Sequence, residues 1–296
     1  MTAYCLCLSG ALLLAIGLLA LRRGPRLALT GLILGGAMGV ALSKLLYFLL
    51  MLPYVWQRWG FSVLAKTEPA TFSFMGLCLG LCLGVLLSAR LAGIPAARAM
   101  DGLAPALAGF VALARMGEYF LGVQGSGGYV ENKALCFFPL AVKNEWNEWY
   151  WAVFMLSGVL AAVCAAGVLL RERRWRVIPG LTFRRAVFYL ALPQVLCESL
   201  RAECMRWGFV KVEQVLCGVV IAGAVALSCL MARGRKRWLP LLCTLVLIAG
   251  VVGVEFGLDK SGIAAPPWYG AMVLLLMGMA GAECLAVRRE LRKRAS

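Results

Sequence analysis

The stretch "DGLAPALAGFVALARMGEYF", residues 101–120, decides the fold. Its run from Gly102 to Ala114 carries no charge. Wound as a helix at ~1.5 Å per residue, it sets Arg115 roughly 20 Å beyond Asp101, well into the ~30 Å of hydrocarbon that a bilayer presents. The run therefore reads as a membrane span with Arg115 and Glu118 near one end. A charge at that depth costs roughly 3 kcal/mol or more on insertion scales, so the pair is a functional signal by default.

The rest of the chain is of the same kind. Its 296 residues are 62% hydrophobic and 15% charged, with a mean hydropathy of +0.85, which excludes an ordinary soluble domain. Apolar runs long enough to span recur at about 4–21, 27–52, 70–89, 102–121, 149–170, 186–204, 209–232, 239–257 and 268–287. The sixth carries charges near its end. The expectation is an all-α membrane protein, a polytopic bundle of about nine transmembrane helices forming one integral membrane domain over 1–296. The longest non-apolar stretch, 122–148, leaves room only for a small external loop or head.

The net charge of +16 is patterned along the chain. Most basic residues fall on alternate loops: Arg22, Arg23 and Arg26; Arg90 and Arg98; the arginines between Arg171 and Arg185; "RGRKR" at 233–237; "RRELRKR" at 288–294. The opposite loops hold Arg58, Lys66, Lys133, Lys143 and Lys260. This is the positive-inside pattern, with the N-terminus outside and the C-terminus inside, and it excludes a nucleic-acid-binding reading. The first apolar segment lacks a basic leader, so it reads as a retained span. The 12 cysteines lie mostly inside spans as small packing residues. Cys78 and Cys82 have no histidine or further cysteine beside them to complete a metal site, so no metal or cofactor is expected. Gly31, Gly35 and Gly39, and Gly76, Gly80 and Gly84, repeat at four-residue spacing, which lets helices approach closely.

Placed by depth, the intramembrane charges gather toward the outer side: Lys44 in the second span, Arg115 and Glu118 in the fourth, "ESLRAECMRW" ending the sixth, and Lys211 and Glu213 opening the seventh. Arg115–Glu118, Glu198–Arg201 and Glu203–Arg206 share i,i+3 spacing, which on a helix allows an ion pair on one face. Two readings stand. The pairs hold helices together, or the cations line an outward cavity and grip an anionic head group, for which the planar arginine fork is suited.

The order of motifs resembles the bacterial prolipoprotein diacylglyceryl transferase family. Asp101, Ala104, Pro105, Arg115 and Gly117 match the spacing of that family's central motif. "SFMGLCLG", with Ser73, Phe74 and Gly76, is similar to its Ser-Phe-His-Gly-Gly motif, and "GGAMG" at 35–39 to its early Gly-Gly-Arg-x-Gly. Glu203 and Arg206 match a late Glu-x-x-Arg, and Gln214 the glutamine that opens the next span. The family-like core is 27–232, and 238–296 would be an added two-helix extension. The sequence departs at Met75 (histidine in the family), Ala37 (arginine), Glu118 (asparagine), Val123 (acidic) and Ser199 (arginine), and it contains no histidine.

The resemblance implies transfer of a diacylglyceryl group from phosphatidylglycerol to the cysteine thiol of a lipobox-containing prolipoprotein signal peptide, at the bacterial cytoplasmic membrane. It implies Arg115, Glu203 and Arg206 as catalytic residues. It places Lys44, Gly76, Gly117, Glu118, Glu198, Arg201 and Gln214 against substrate. The departing phosphate develops charge that cations in a dry site would stabilise. The thiol needs a base or a positive field, and without histidine the candidate bases are Glu118, Glu198 and Glu203. A non-catalytic relative that binds anionic phospholipid is the alternative. A transporter would call for paired broken spans, which the sequence lacks. Trp146, Trp149 and Trp151 are expected to form an interfacial aromatic belt.

Overall fold

Spans without charge fold as helices because lipid offers no partner to the backbone, which must satisfy itself within each segment. The computed structural model describes residues 2–175, 178–232, 237–260 and 265–295. The side chains of Arg173, Arg174, Arg292, Lys293 and Arg294, and all of Arg176, Arg233, Arg235 and Lys236, lie outside the described residues, although they carry much of the expected charge asymmetry. The helices are α1 (Thr2–Arg23), α2 (Pro25–Leu50), α3 (Leu52–Arg58), α4 (Phe74–Leu91), α5 (Ala96–Gly117), α6 (Val153–Trp175), α7 (Leu181–Leu200), α8 (Val212–Met231), α9 (Leu239–Lys260) and α10 (Ala265–Ala295). Two short antiparallel pairs join them: β1 (Ala141–Lys143) with β2 (Trp149–Trp151), and β3 (Arg206–Trp207) with β4 (Val210–Lys211).

Among the described residues, eight helices are long and apolar enough to cross a membrane. The protein is thus an all-α, multi-pass membrane bundle. The expected count of nine differs at the sixth segment. There α7 forms over Leu181–Leu200 rather than 186–204 and is not among the eight. Its early start has a local cause. The Asp101 carboxylate of α5 accepts hydrogen bonds from the backbone N–H groups of Gly180 (2.7 Å) and Phe183 (3.0 Å), satisfying donors that a helix N-terminus leaves open.

The chain divides into two compact units: Met1–Ala186 with Arg201–Glu203, and Val187–Leu200 with Cys204–Ser296. In the first, α2 and α4 lie backbone to backbone. A Cβ at Gly80 would fall on the backbone of Gly39, and one at Gly84 on that of Gly35, so both glycine runs serve this one contact. Helix α5 packs against α1, α4 and α6. It is the most enclosed span, with 89% of its apolar window buried against 44% or less in the others. Arg22 of α1 pairs with the buried Glu172 of α6.

Between α5 and α6 the chain forms a small head. The β1–β2 hairpin turns at Asn144, whose Oδ1 accepts from the N–H groups of Trp146 and Glu148 (both 2.9 Å). Residues 127–130 pair along β2 through Gly127 to Trp151 and Val130 to Trp149. "ALCFFPLAV" contributes a strand only over Ala141–Lys143. Glu148 accepts a hydrogen bond from the Tyr150 hydroxyl (3.0 Å), which holds that phenol above its ordinary pKa. Trp146 and Trp151 are exposed and Trp149 is partly so.

In the second unit α9 and α10 pair closely: Gly257 receives the Trp268 ring, and Gly250 faces Leu275. Helix α8 packs against both. The two helices expected as an extension are therefore partners of α8.

Candidate functional site

Helix α5 runs without charge from Asp101 to its last turn, where Arg115 is 4% exposed. Burial of a guanidinium requires partners, and the structure supplies them. Arg115 Nη1 donates to Glu118 Oε1 at 2.7 Å, and Arg201 Nη2 donates to Glu118 Oε2 at 2.7 Å. Glu118 and Arg201 are buried as well. The Arg115 guanidinium also stacks over the Phe74 ring, 4.0 Å from its centroid, a favourable seat for a cation. One carboxylate thus bridges two buried guanidiniums.

The head closes over this cluster. Gly125 has φ +81°, and a Cβ there would meet Glu118 Oε2 at 2.6 Å and Arg201 Nη1 at 3.5 Å. Glycine is the residue that permits both the backbone conformation and the approach. Beside it, the Ser126 carbonyl accepts from Ala202 N–H at 3.0 Å, tying the head to the chain next to Arg201. Neither contact is encoded by local spacing, although the glycines of "GSGG" mark the segment as turn-forming.

No family model matches this sequence, and no curated protein does. The site has to be read from its own geometry.

Lys44 stands beside the "SFMG" turn. Its ammonium donates to the Lys66 carbonyl and to Thr71 Oγ1, both at 2.5 Å, and lies 4.2 Å from the Phe72 ring centroid. It clamps the 66–72 loop to α2. Ser73 caps α4, with its Oγ accepting from Gly76 N–H. The Ser43 hydroxyl donates to the Ser73 carbonyl at 2.6 Å. Lys44 and Arg115 therefore sit over the rings of Phe72 and Phe74, the two residues on either side of Ser73.

Two motif glycines are occupied by packing. A Cβ on Gly76 would fall 2.5 Å from Ser43 Cα, and one on Gly117 would meet Cys7 Cβ at 2.7 Å. Their small size lets α2 and α1 close in. Met75, where the resembled family has histidine, is partly buried beside them.

The late motif folds differently from its helical reading. Helix α7 ends at Leu200, so i,i+3 helix geometry does not extend through "RAECMRW". Arg201 turns to Glu118. Glu203 is exposed in a bend and Arg206 is exposed in β3. Glu198 is buried in the second unit, near enough to Lys211 to act on its charge. Lys211 Nζ donates to the Ser199 carbonyl. Gln214 is buried there too, with Nε2 donating to Glu255 Oε1 at 2.8 Å and to the Val195 carbonyl at 3.2 Å. Of the expected site residues, Arg115, Glu118 and Arg201 form one cluster. Glu255 escaped the sequence reading, because its charged neighbour at helical spacing in α9, Asp259, has the same sign and so marks no ion pair.

Proposed function

We propose that the protein is a diacylglyceryl transferase acting on an anionic phospholipid, with phosphatidylglycerol as donor and the thiol of a lipobox cysteine as acceptor. The observation that carries this reading is the seat of Glu118 between Arg115 and Arg201. A carboxylate held at 2.7 Å by each of two buried guanidiniums occupies the position that a lipid phosphate would take. Arginine forks bind phosphate and carboxylate by the same paired geometry.

In the proposed reaction the head-group phosphate displaces Glu118 from the two arginines. The freed carboxylate takes the thiol proton. The thiolate forms a C–S bond to the glycerol carbon, the C–O bond to phosphate breaks, and glycerol phosphate leaves with the electron pair. Arg115 and Arg201 stabilise the charge that develops on it. A bacterial cytoplasmic membrane, an outside N-terminus and an inside C-terminus belong to the same proposal, because the precursor thiol is presented on the outer side.

The experiment is direct. Purified protein in phosphatidylglycerol nanodiscs should transfer labelled glyceride to a lipobox peptide, and transfer should vanish when the peptide cysteine is serine. Absence of transfer across anionic donors would overturn the catalytic reading. The absence of histidine, with Met75 at the motif position, favours one second reading: a non-catalytic relative that holds an anionic phospholipid in the same cluster. Stoichiometric lipid in native mass spectra without turnover would select it.

A further inference from the structure

Helix α2 runs for 26 residues, ~39 Å at the usual rise, which exceeds the ~30 Å of hydrocarbon in a bilayer. Past Leu50 the chain breaks into α3 and two 3-10 turns, Gly60–Ala65 and Pro69–Thr71, before α4 returns along α2. Irregular backbone of this kind does not face hydrocarbon. The elbow between the two spans therefore lies at the level of the lipid head groups.

Its surface is nevertheless apolar. Leu52, Trp56 and Phe61 are 39%, 55% and 65% exposed, while Val55 and Val63 are buried beneath them. Leu52 and Trp56 stand one turn apart on α3, on the same face. Phe61 packs edge-on against Trp56, with ring centroids 5.1 Å apart, and stacks on Phe48 of α2 at 5.7 Å. Lys44 of α2 clamps the far side of the elbow through the Lys66 carbonyl and Thr71 Oγ1. The patch is thus fixed to α2.

Two cations border it at Trp59. Lys66 Nζ lies 3.9 Å from a centroid of that ring system and the Arg58 guanidinium 5.1 Å. Among the described residues, no carboxylate lies within ion-pair distance of either. Aromatic and aliphatic side chains beside cations without a counter-charge suit a membrane interface. The rings sit among the upper acyl chains and the cations face phosphate. Lipid is the occupant because the patch stands at membrane level and its charge complements an anionic head group.

We infer that residues 52–66 form an interfacial elbow that binds anionic phospholipid. Leu52, Trp56 and Phe61 insert among the acyl chains, and Arg58 and Lys66 are set against head-group phosphate. The elbow shares no residue with the Arg115 cluster, so it stands whether or not the transferase reading does.

The test is photolabelling of the full chain in phosphatidylcholine nanodiscs, with adducts resolved by residue. The probes are phosphatidylglycerol and phosphatidylcholine, each carrying a diazirine in the upper part of one acyl chain and added in trace amount. Both should label Trp56 and Phe61, with phosphatidylglycerol ahead by about fivefold or more, the worth of a basic residue at an anionic surface. Val219, 63% exposed on the span α8, serves as the reference and should take both probes equally. Arg58→Gln with Lys66→Gln should leave the adducts in place and remove the excess. Labelling of Val219 with none at Trp56 or Phe61 overturns the inference, because the elbow would then stand clear of the bilayer. Equal labelling of the elbow by the two probes on the unaltered chain also overturns it, and neither comparison requires a variant to fold. An excess that survives the double substitution takes the phosphate contact away from Arg58 and Lys66 and overturns it as well.

Discussion

Arg201 meets Glu118 across 83 residues of sequence, at 2.7 Å and with both side chains buried. The contact closes a three-membered cluster in which Glu118 is the shared anion. Removing the shared member takes away the carboxylate to which both buried cations are bonded. Glu118→Ala is therefore expected to destabilise the protein by about 3–5 kcal/mol, the usual cost of breaking a buried pair. Glu118→Gln keeps the shape and some hydrogen bonding and should lose less. Thermal unfolding in one detergent, with both variants compared, checks the order.

Gly125 supports the same cluster from the head. Its φ of +81° and the 2.6 Å approach to Glu118 Oε2 exclude a side chain on two separate grounds. Gly125→Ala should lower stability by at least ~1 kcal/mol and loosen the head, read as faster hydrogen exchange at Ser126 and Ala202. Gly128 has negative φ and open space at its Cβ position, so Gly128→Ala serves as the neutral control. Equal effects from the two would show that the approach is not a constraint.

The α2–α4 contact makes a third test. At Gly80 and Gly84 an added Cβ would lie within the backbone of α2, and no rotamer change relieves a clash with main chain. Gly84→Ala should force the helices apart and cost more than the ~1–3 kcal/mol typical of overpacking. Gly17→Ala, on a helix face with nothing within 4 Å, should be neutral or slightly stabilising through helix propensity. Melting temperatures of the two variants in the same detergent decide it.

Those glycine runs show what patterning reveals. Helix–helix approach depends on residue size at a fixed spacing, so Gly35, Gly39, Gly80 and Gly84 announce it locally. The spans are legible for the same reason, since each is decided by composition within its own segment. The sixth was not, because α7 is positioned by Asp101 some 80 residues away, through hydrogen bonds to Gly180 and Phe183. The candidate site divides in the same way. Arg115–Glu118 follows from i,i+3 spacing on α5. Arg201 joins it only because the chain leaves the helix at Leu200, and helical spacing through "RAECMRW" would have paired it with near neighbours instead.

Arg115 separates structure from function most sharply. Arg115→Gln leaves Glu118 still paired with Arg201, so no carboxylate is stranded and the loss should be smaller than for Glu118→Ala. The stacking over Phe74 weakens because the cation is gone, a matter of roughly 1–2 kcal/mol in a desolvated setting. The proposed lipid site, by contrast, loses one of its two phosphate-binding forks. Binding of phosphatidylglycerol should fall by about tenfold or more, since charge-assisted hydrogen bonds are worth about 1.5–3 kcal/mol. Binding of a zwitterionic phospholipid should change little. The measurement pairs a melting curve with native mass spectrometry of lipid occupancy on one preparation. A folded Arg115→Gln protein that retains full preference for phosphatidylglycerol would assign the arginine to holding the helix end and head together, and the phosphate seat between Arg115 and Arg201 would have to be given up.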